Sequence, residues 1–282
     1  MKPRGLSLIE MLIAAAITGV LLIVVTNGIQ SASSSTRMIQ TQQLLTEDLR
    51  TSGNLISDEL SQAYHIYPPG AEITLNSTST YTVTNFDGSN VWTVGTDPII
   101  AAILPPEDLT RADLCATDNS GCLRLVAYYP LLRSTVTAST SGTPEFIGND
   151  PQNTNVWTVF RYMTYLSSGK FSDASSSLKV AAPSFSGSRG ELLADYIQPT
   201  SGFTVDWSGA GGSKCLVVTT DANGVKSTNP RATCPTTGNL ESVTEMVFQL
   251  RGQMTRGTAV LVPGAGPLVF RGTPRNLGSA SD

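Results

Sequence analysis

A single acid, Glu10, interrupts a stretch over residues 6–25 that is otherwise apolar apart from Ser7, Thr18 and Gly19. An ionised carboxylate in hydrocarbon costs on the order of 3 kcal/mol or more unless something pairs with it. This residue type at this place therefore implies a partner for its charge. Neither a plain membrane anchor nor a cleaved signal peptide has a use for it, although Ser31-Ala32-Ser33 carries the small residues of a signal cleavage site.

Other residues tempt a chemical reading. Catalysis by a Ser-His-Asp or Cys-His constellation has only His65 to work with, and His65 lies at the end of a predicted helix, between Tyr64 and Ile66, where a structural role is expected. Gly209-Ala210-Gly211-Gly212-Ser213-Lys214 looks superficially like a phosphate loop, but the spacing is wrong and a strand is predicted where a helix should open, so a hairpin loop is expected. Asp221-Ala222-Asn223-Gly224 resembles the first half of a calcium loop, yet the twelfth position, Ala232, is no ligand. Arg251, Arg256, Arg271 and Arg275 follow one another with no acid between Val247 and Ser281. Their charge suits contact with DNA, and equally suits strand edges that discourage aggregation.

Four cysteines form two close pairs in sequence, Cys115 with Cys122 and Cys215 with Cys234, and four cysteines allow three connectivities. An oxidising compartment favours the two local bridges, each contributing about 2 to 4 kcal/mol, and buried free thiols are the other reading. Zinc is not expected, because no Cys-x-x-Cys spacing occurs and there is one histidine.

These residues need elements to position them. Residues 6–25 amount to about 30 Å of helix, enough to span a bilayer. Lys2 and Arg4 precede the span with no acid beside them, which keeps the N-terminus cytoplasmic and sends the bulk of the chain outward. Beyond the membrane, Met38, Leu45, Leu49, Ile56, Leu60 and Tyr64 form an apolar stripe at helical spacing, with Glu47, Asp48, Arg50 and Asp58 off it. One helix of roughly 90 Å is predicted to about residue 66, ended by Pro68-Pro69-Gly70 and packed on a head by its second half. The head then reads as short β-type runs at 99–104, 123–129, 156–166, 203–207, 215–220, 243–250 and 268–270, with turns at Asn85-Phe86-Asp87-Gly88, Asp221-Ala222-Asn223-Gly224 and Gly209-Ala210-Gly211-Gly212. The Ser/Thr-rich segments 134–143 and 172–177 read as exposed loops, with glycosylation open. A charged fraction of 14%, low for a soluble protein, suits an extracytoplasmic surface, and a net charge of -4 argues against general affinity for polyanions.

The segment Gly5-Leu6-Ser7-Leu8-Ile9-Glu10-Met11-Leu12-Ile13-Ala14 resembles the class III signal of type IV prepilins and pseudopilins. The resemblance implies cleavage after Gly5 by a prepilin peptidase and methylation of the new amine on Leu6. It also implies that Glu10, then the fifth mature residue, meets the N-terminal amine of a neighbouring subunit and sets assembly register. Leu6 departs from the usual aromatic or Met at that place. Asn27-Gly28 stands where many pilins carry a proline, and is expected to loosen the helix without a fixed kink.

A looser resemblance covers the C-terminal half. Glu191-Leu192-Leu193-Ala194-Asp195-Tyr196-Ile197 leads into Phe203-Thr204-Val205-Asp206-Trp207, with a strand near 243–251 and a terminal Pro274-Arg275-Asn276-Leu277. This is similar to PilW-type minor pilins and J-type pseudopilins.

The expected fold class is α+β, a long N-terminal helix packed on an antiparallel β-sheet head with an extra β subdomain. The expected divisions are a leader at 1–5, the pilin helix at 6–67 (transmembrane over 6–25, amphipathic over 26–67), a β-rich inserted or first head region at 68–150 and a β-rich head at 151–282. The resemblance implies an assembly subunit and not an enzyme, with no cofactor and no metal. Its partners are the prepilin peptidase, other major and minor pilins, the inner-membrane assembly platform and, less directly, DNA or a surface ligand. Its place is the inner membrane and then the pilus. A minor pseudopilin of type II secretion and a pilus-tip adhesin or DNA-binding module are the alternatives.

Overall fold

The computed structural model describes residues 8–77, 80–108, 110, 115, 121–139, 147–166, 184–185, 190–207, 211–220, 226–230, 233–234, 240–257, 259–262 and 266–274. The chain divides into two compact units, residues 1–44 and 45–282.

The described part of the first unit is helical, the opening of α1 (Leu8–Gln62). No proline lies between residues 4 and 67 to break it, and it runs unbroken through Asn27-Gly28. Its hydroxyls are satisfied within the helix: Thr18 donates to the Ala14 carbonyl and Thr26 to that of Leu22, both at 2.8 Å. Such back-bonding to the preceding turn is how a hydroxyl avoids standing unpaired in an apolar setting.

The second unit takes in the rest of α1. There the stripe buries Leu45, Leu49, Ser52, Gly53, Ile56 and Leu60. The helix stops at Gln62, short of the end predicted near residue 66. The Tyr64 N–H donates to the Ile103 carbonyl at 2.7 Å, and the next residues leave the helix for a sheet. That sheet offers buried ladder bonds which helical propensity alone cannot match.

In chain order the strands are β1 (His65–Ile66), β2 (Glu72–Leu75), β3 (Val91–Thr93), β4 (Ile100–Leu104) and β5 (Arg124–Leu132). A short helix α2 (Arg133–Ser139) follows, then β6 (Trp157–Tyr165), β7 (Ser184–Phe185), β8 (Gly190–Ile197), β9 (Phe203–Val205) and β10 (Lys214–Thr220). The chain continues with β11 (Lys226–Pro230), β12 (Leu240–Leu250), β13 (Met254–Arg256), β14 (Ala259–Leu261) and β15 (Leu268–Gly272).

The central sheet has the order β1-β4-β5-β6-β8 and is antiparallel throughout, with β5 and β6 paired from Arg124↔Tyr165 to Leu132↔Trp157. Its inner strands β4 and β5 are buried on both faces. Ile100, Ala102, Val126, Tyr128 and Val159 share a core with Leu49, Ile56 and Leu60 of α1 and with Met246, Phe248 and Leu250 of β12. The alternate residues Ala101, Ile103, Leu125, Tyr129 and Phe160 pack with Ile73, Leu75 and Trp92 from the small sheet β3-β2-β7. This accounts for the unbroken apolar character of β4 and β5, since strands covered on both sides have no polar face to alternate with.

The second large sheet has the order β11-β10-β12-β15, with β9 also on β12. All its pairings are antiparallel. The fold is thus α+β, a long N-terminal helix followed by an antiparallel β-sheet head, and it is pilin-like. Strand β5, from the region 68–150, pairs directly with β6 and joins β4 to the same sheet, so the boundary expected near residue 150 falls between hydrogen-bonded strands.

Part of the segment 134–143, read as an exposed loop, is helical: α2 runs to Ser139 because Arg133 and Val136 are both buried and draw that turn onto the head. The remainder of that segment, and all of 172–177, lie outside the described residues.

Candidate functional site

Glu10 lies in the first turn of α1, where a carboxylate complements the helix dipole. It is the only charged residue between Leu8 and Thr36. Around it Leu8, Ile9, Met11, Leu12 and Ile13, and further along Ile17 and residues 20–25, are between 55% and 80% exposed. An apolar helix exposed on all sides is a membrane span or a strand of a larger bundle, because water cannot be its final solvent. By length and composition α1 is the one such helix among the described residues. Gly5 and Leu6 lie outside the described residues.

The second half of α1 is keyed into the head by small and charged side chains. Adding a Cβ to Gly53 would bring it within 2.2 Å of the Phe270 ring, and one on Gly272 would come to 2.6 Å from Leu60 Cβ, so these two glycines set how closely α1 and β15 approach. Ser52 donates to the Leu193 carbonyl at 3.0 Å, while Asp48, one turn earlier, accepts the Asp195 backbone N–H. Two side chains at i and i+4 thereby occupy hydrogen-bonding positions along β8, the edge strand of the central sheet. Partial burial pushes the Asp48 carboxyl above the usual carboxylate range, against the lowering effect of that N–H. Burial likewise raises Asp195, with Arg133 opposing.

Glu59 carries the main ion pair of this seat. It accepts from Arg161 through Nη2 at 2.6 Å and Nε at 3.1 Å, and it also accepts the Tyr128 hydroxyl. Both ionic side chains are mostly shielded, so this bidentate pair acts in a medium where breaking it is costly.

The other residues expected to act are dispersed. Arg271 pairs with Glu245 at 2.6 Å, and Arg256 stands 3.7 Å from Asp150. Lys214 and then Arg271 hold the Glu245 carboxyl below its ordinary range by donating to it. Arg251 is half-buried at the end of β12, and Arg275 lies outside the described residues. Two members of the basic series that looks uncompensated in sequence, Arg256 and Arg271, therefore meet acids brought in from elsewhere. The cysteines are joined as Cys115–Cys122 and Cys215–Cys234.

His65 is buried in β1 with its ring edge-on to Tyr67, the centroids 5.0 Å apart. Of the glycine-rich loop, Gly211, Gly212 and Ser213 are described, and they lead into β10. Ser213 is fully buried and accepts the Val247 N–H at 2.9 Å, which is a strand-joining role. Asp221-Ala222-Asn223-Gly224 and Ala232 lie outside the described residues. Among those that are described, no group of three or more His, Cys, Asp or Glu side chains could hold a metal ion.

Sequence reading missed Ser52, Gly53 and the Glu59–Arg161 pair. The one local signal was two small residues set inside an apolar stripe.

Residues 1–26 match the family described as the prokaryotic N-terminal methylation motif. No curated protein and no solved structure matches the chain. The motif, the exposed apolar helix behind it and the antiparallel head together support a type IV pilin-like protein anchored in a membrane.

Proposed function

We propose that this type IV pilin-like chain is a minor pilin, a structural subunit that enters a type IV pilus used for twitching, adhesion or DNA uptake. The observation that carries the reading is the methylation motif over residues 1–26, with Glu10 set in a helix whose apolar side chains are exposed. On this reading the prepilin peptidase removes residues 1–5 and the Leu6 amine is methylated. Glu10 then meets the N-terminal amine of a neighbouring subunit, which sets an opposite charge against a carboxylate that hydrocarbon penalises. Residues 6–25 hold the subunit in the inner membrane before assembly, with the head outside. Other major and minor pilins and the inner-membrane platform are its partners, and its work is packing rather than a reaction.

The same features serve a minor pseudopilin of type II secretion. Deletion of the gene separates the two: loss of motility or transformation supports the pilus, and loss of exoprotein release supports secretion. A DNA-binding module draws less support, since Arg256 and Arg271 both face acids.

The direct test is mass spectrometry of the mature N-terminus, together with the amount of Glu10→Ala subunit in sheared filaments. Expected are a chain beginning at methylated Leu6 and a variant missing from filaments. A chain that keeps Met1 to Gly5 in cells with an active peptidase, or normal incorporation of the variant, ends the proposal.

A further inference from the structure

At one end of the β5–β6 pair, where α2 begins, a cleft of about 320 Å³ opens between that helix and residues 149–154, lined by Arg133, Ser134, Thr137, Asn149, Asp150 and Thr154 among others. Its volume falls at the small end of ligand sites, which run from roughly 300 to 1,000 Å³. The charges in its wall are already matched. Arg133, only 2% exposed, binds Asp195 through Nε at 3.1 Å, donates Nη2 to the Ile147 carbonyl at 3.0 Å and lies over the Tyr196 ring. Asp150 accepts from Asn153 Nδ2 at 2.9 Å and from the Tyr196 hydroxyl at 3.2 Å, with Arg256 beyond.

Among the described residues, two cations and two carboxylates are paired here. The described part of the wall is therefore suited to a neutral ligand that both donates and accepts hydrogen bonds. Tyr196, which links the two ion pairs, is held at a φ of +57°, in the left-handed region. For a residue other than glycine that backbone is costly and is found where surrounding structure over-determines it, as at binding sites.

A second and independent feature lies at the same end of the strands. Trp157 is the cross-strand partner of Leu132, the residue before Arg133, and also of Ile197, the residue after Tyr196. On Trp157 is stacked Phe86, 47% exposed, with ring centroids 4.9 Å apart. Phe86 sits in a tight turn whose Asn85 side chain accepts the N–H groups of Asp87 and Ser89, with Gly88 at a φ of +82°. An aromatic ring left in water and held rigidly has lost little freedom still to give up on binding. Aromatic faces receive the C–H faces of sugars, and mixed polar walls receive their hydroxyls.

We propose that this end of the head binds a neutral saccharide, with Phe86, backed by Trp157, as the stacking ledge and Asn149 and Asp150 as hydrogen-bonding wall. The site does not depend on which machine the subunit serves, and its failure would leave the processing and assembly of the N-terminal helix untouched.

The test uses the full chain in a non-glycosidic zwitterionic detergent, titrated with methyl glycosides of neutral hexoses and of N-acetylhexosamines. Tryptophan fluorescence and saturation-transfer NMR are the readouts, with inorganic phosphate and a sialoside as charged probes. Saturable binding of at least one neutral sugar is expected, weakened about tenfold by Phe86→Ala and by Asn149→Ala with unchanged melting, and kept by Phe86→Tyr. Absence of saturable binding by every neutral sugar, preference for the charged probes, or equal binding by the Phe86→Ala and Asn149→Ala proteins would overturn the assignment.

Discussion

Residues 8–44 and 45–62 of α1 belong to one helix yet stand on different terms with the rest of the chain. In the first stretch leucine, isoleucine and valine are exposed around the whole circumference, and hydroxyls are tied back to the preceding turn. In the second, burial is confined to one stripe, and the polar residues beside it reach specific partners on β5, β6, β8 and β15. A helix that must be covered from outside carries apolar residues all round and is indifferent to which one touches what. A helix covered by its own chain carries a stripe and cannot move without breaking named bonds. The boundary between these regimes separates what assembly has to supply from what folding has already supplied.

The two stretches differ most in what they do with a glycine. Gly53→Leu drives a side chain into the Phe270 ring, and overpacking of such a contact costs about 1 to 3 kcal/mol or more, a large fraction of what holds a marginally stable head folded. Gly28→Leu meets nothing within 4 Å in the isolated chain and improves helix propensity. Thermal melting of the two proteins in micelles is expected to show a lost or strongly lowered transition for Gly53→Leu and an unchanged one for Gly28→Leu. Equal melting would mean that the two halves are not distinguished as argued.

Next in size is Glu59→Ala. It leaves Glu191, which stands 3.6 Å away and is largely exposed, as the carboxylate beside Arg161 among the described residues. Removing one partner of a shielded bidentate pair costs about 3 to 5 kcal/mol at the upper end, and the remaining contact trims this. Asp58→Ala, one residue away on the exposed side of the helix, is expected to fall within about 0.5 kcal/mol of the parent. Urea unfolding of both checks the contrast, and a Glu59→Ala midpoint matching that of Asp58→Ala would remove Glu59 from the keying of α1.

Much of this division was legible in sequence, because both regimes leave periodic or compositional traces. The unbroken apolar run with its lone Glu10, and the stripe Leu45, Leu49, Ile56 and Leu60, follow from helix geometry alone. The runs that became β4, β5, β6 and β12 were visible as apolar stretches of strand length. Long-range pairing was not legible. Glu59 and Arg161 are 102 residues apart, and nothing local in either announces the other. Arg271 looked uncompensated because Glu245 stands 26 residues before it and meets it only across the β12–β15 ladder. The strands β2, β3 and β11 were missed because three to five residues carry too little pattern, and α2 because serine and threonine hide a helix whose cause is the burial of Arg133 and Val136.

The smallest expected effect probes how the helix meets the edge of β8. Asp48 accepts the Asp195 N–H, and its carboxyl is raised by partial burial and by the nearby Asp195 charge. A carboxyl raised in the folded state contributes stability that is fully present below its unfolded value, and the contribution is lost as pH rises through the folded value. Asp48→Asn keeps an acceptor for the N–H and carries no charge. Relative to the parent it should therefore gain a little at neutral pH, and the difference should vanish as the pH falls below the ordinary carboxylate range. Glu245, lowered by Lys214 and Arg271, works the other way, losing its contribution as pH falls. Because both proteins share Glu245, the difference in melting temperature between them isolates Asp48. A difference that grows on acidification would show that the carboxylate holds α1 to the sheet edge through its charge, and Asp48 would then belong with Glu59 as an ionic key rather than with Ser52 as a hydrogen-bonding one.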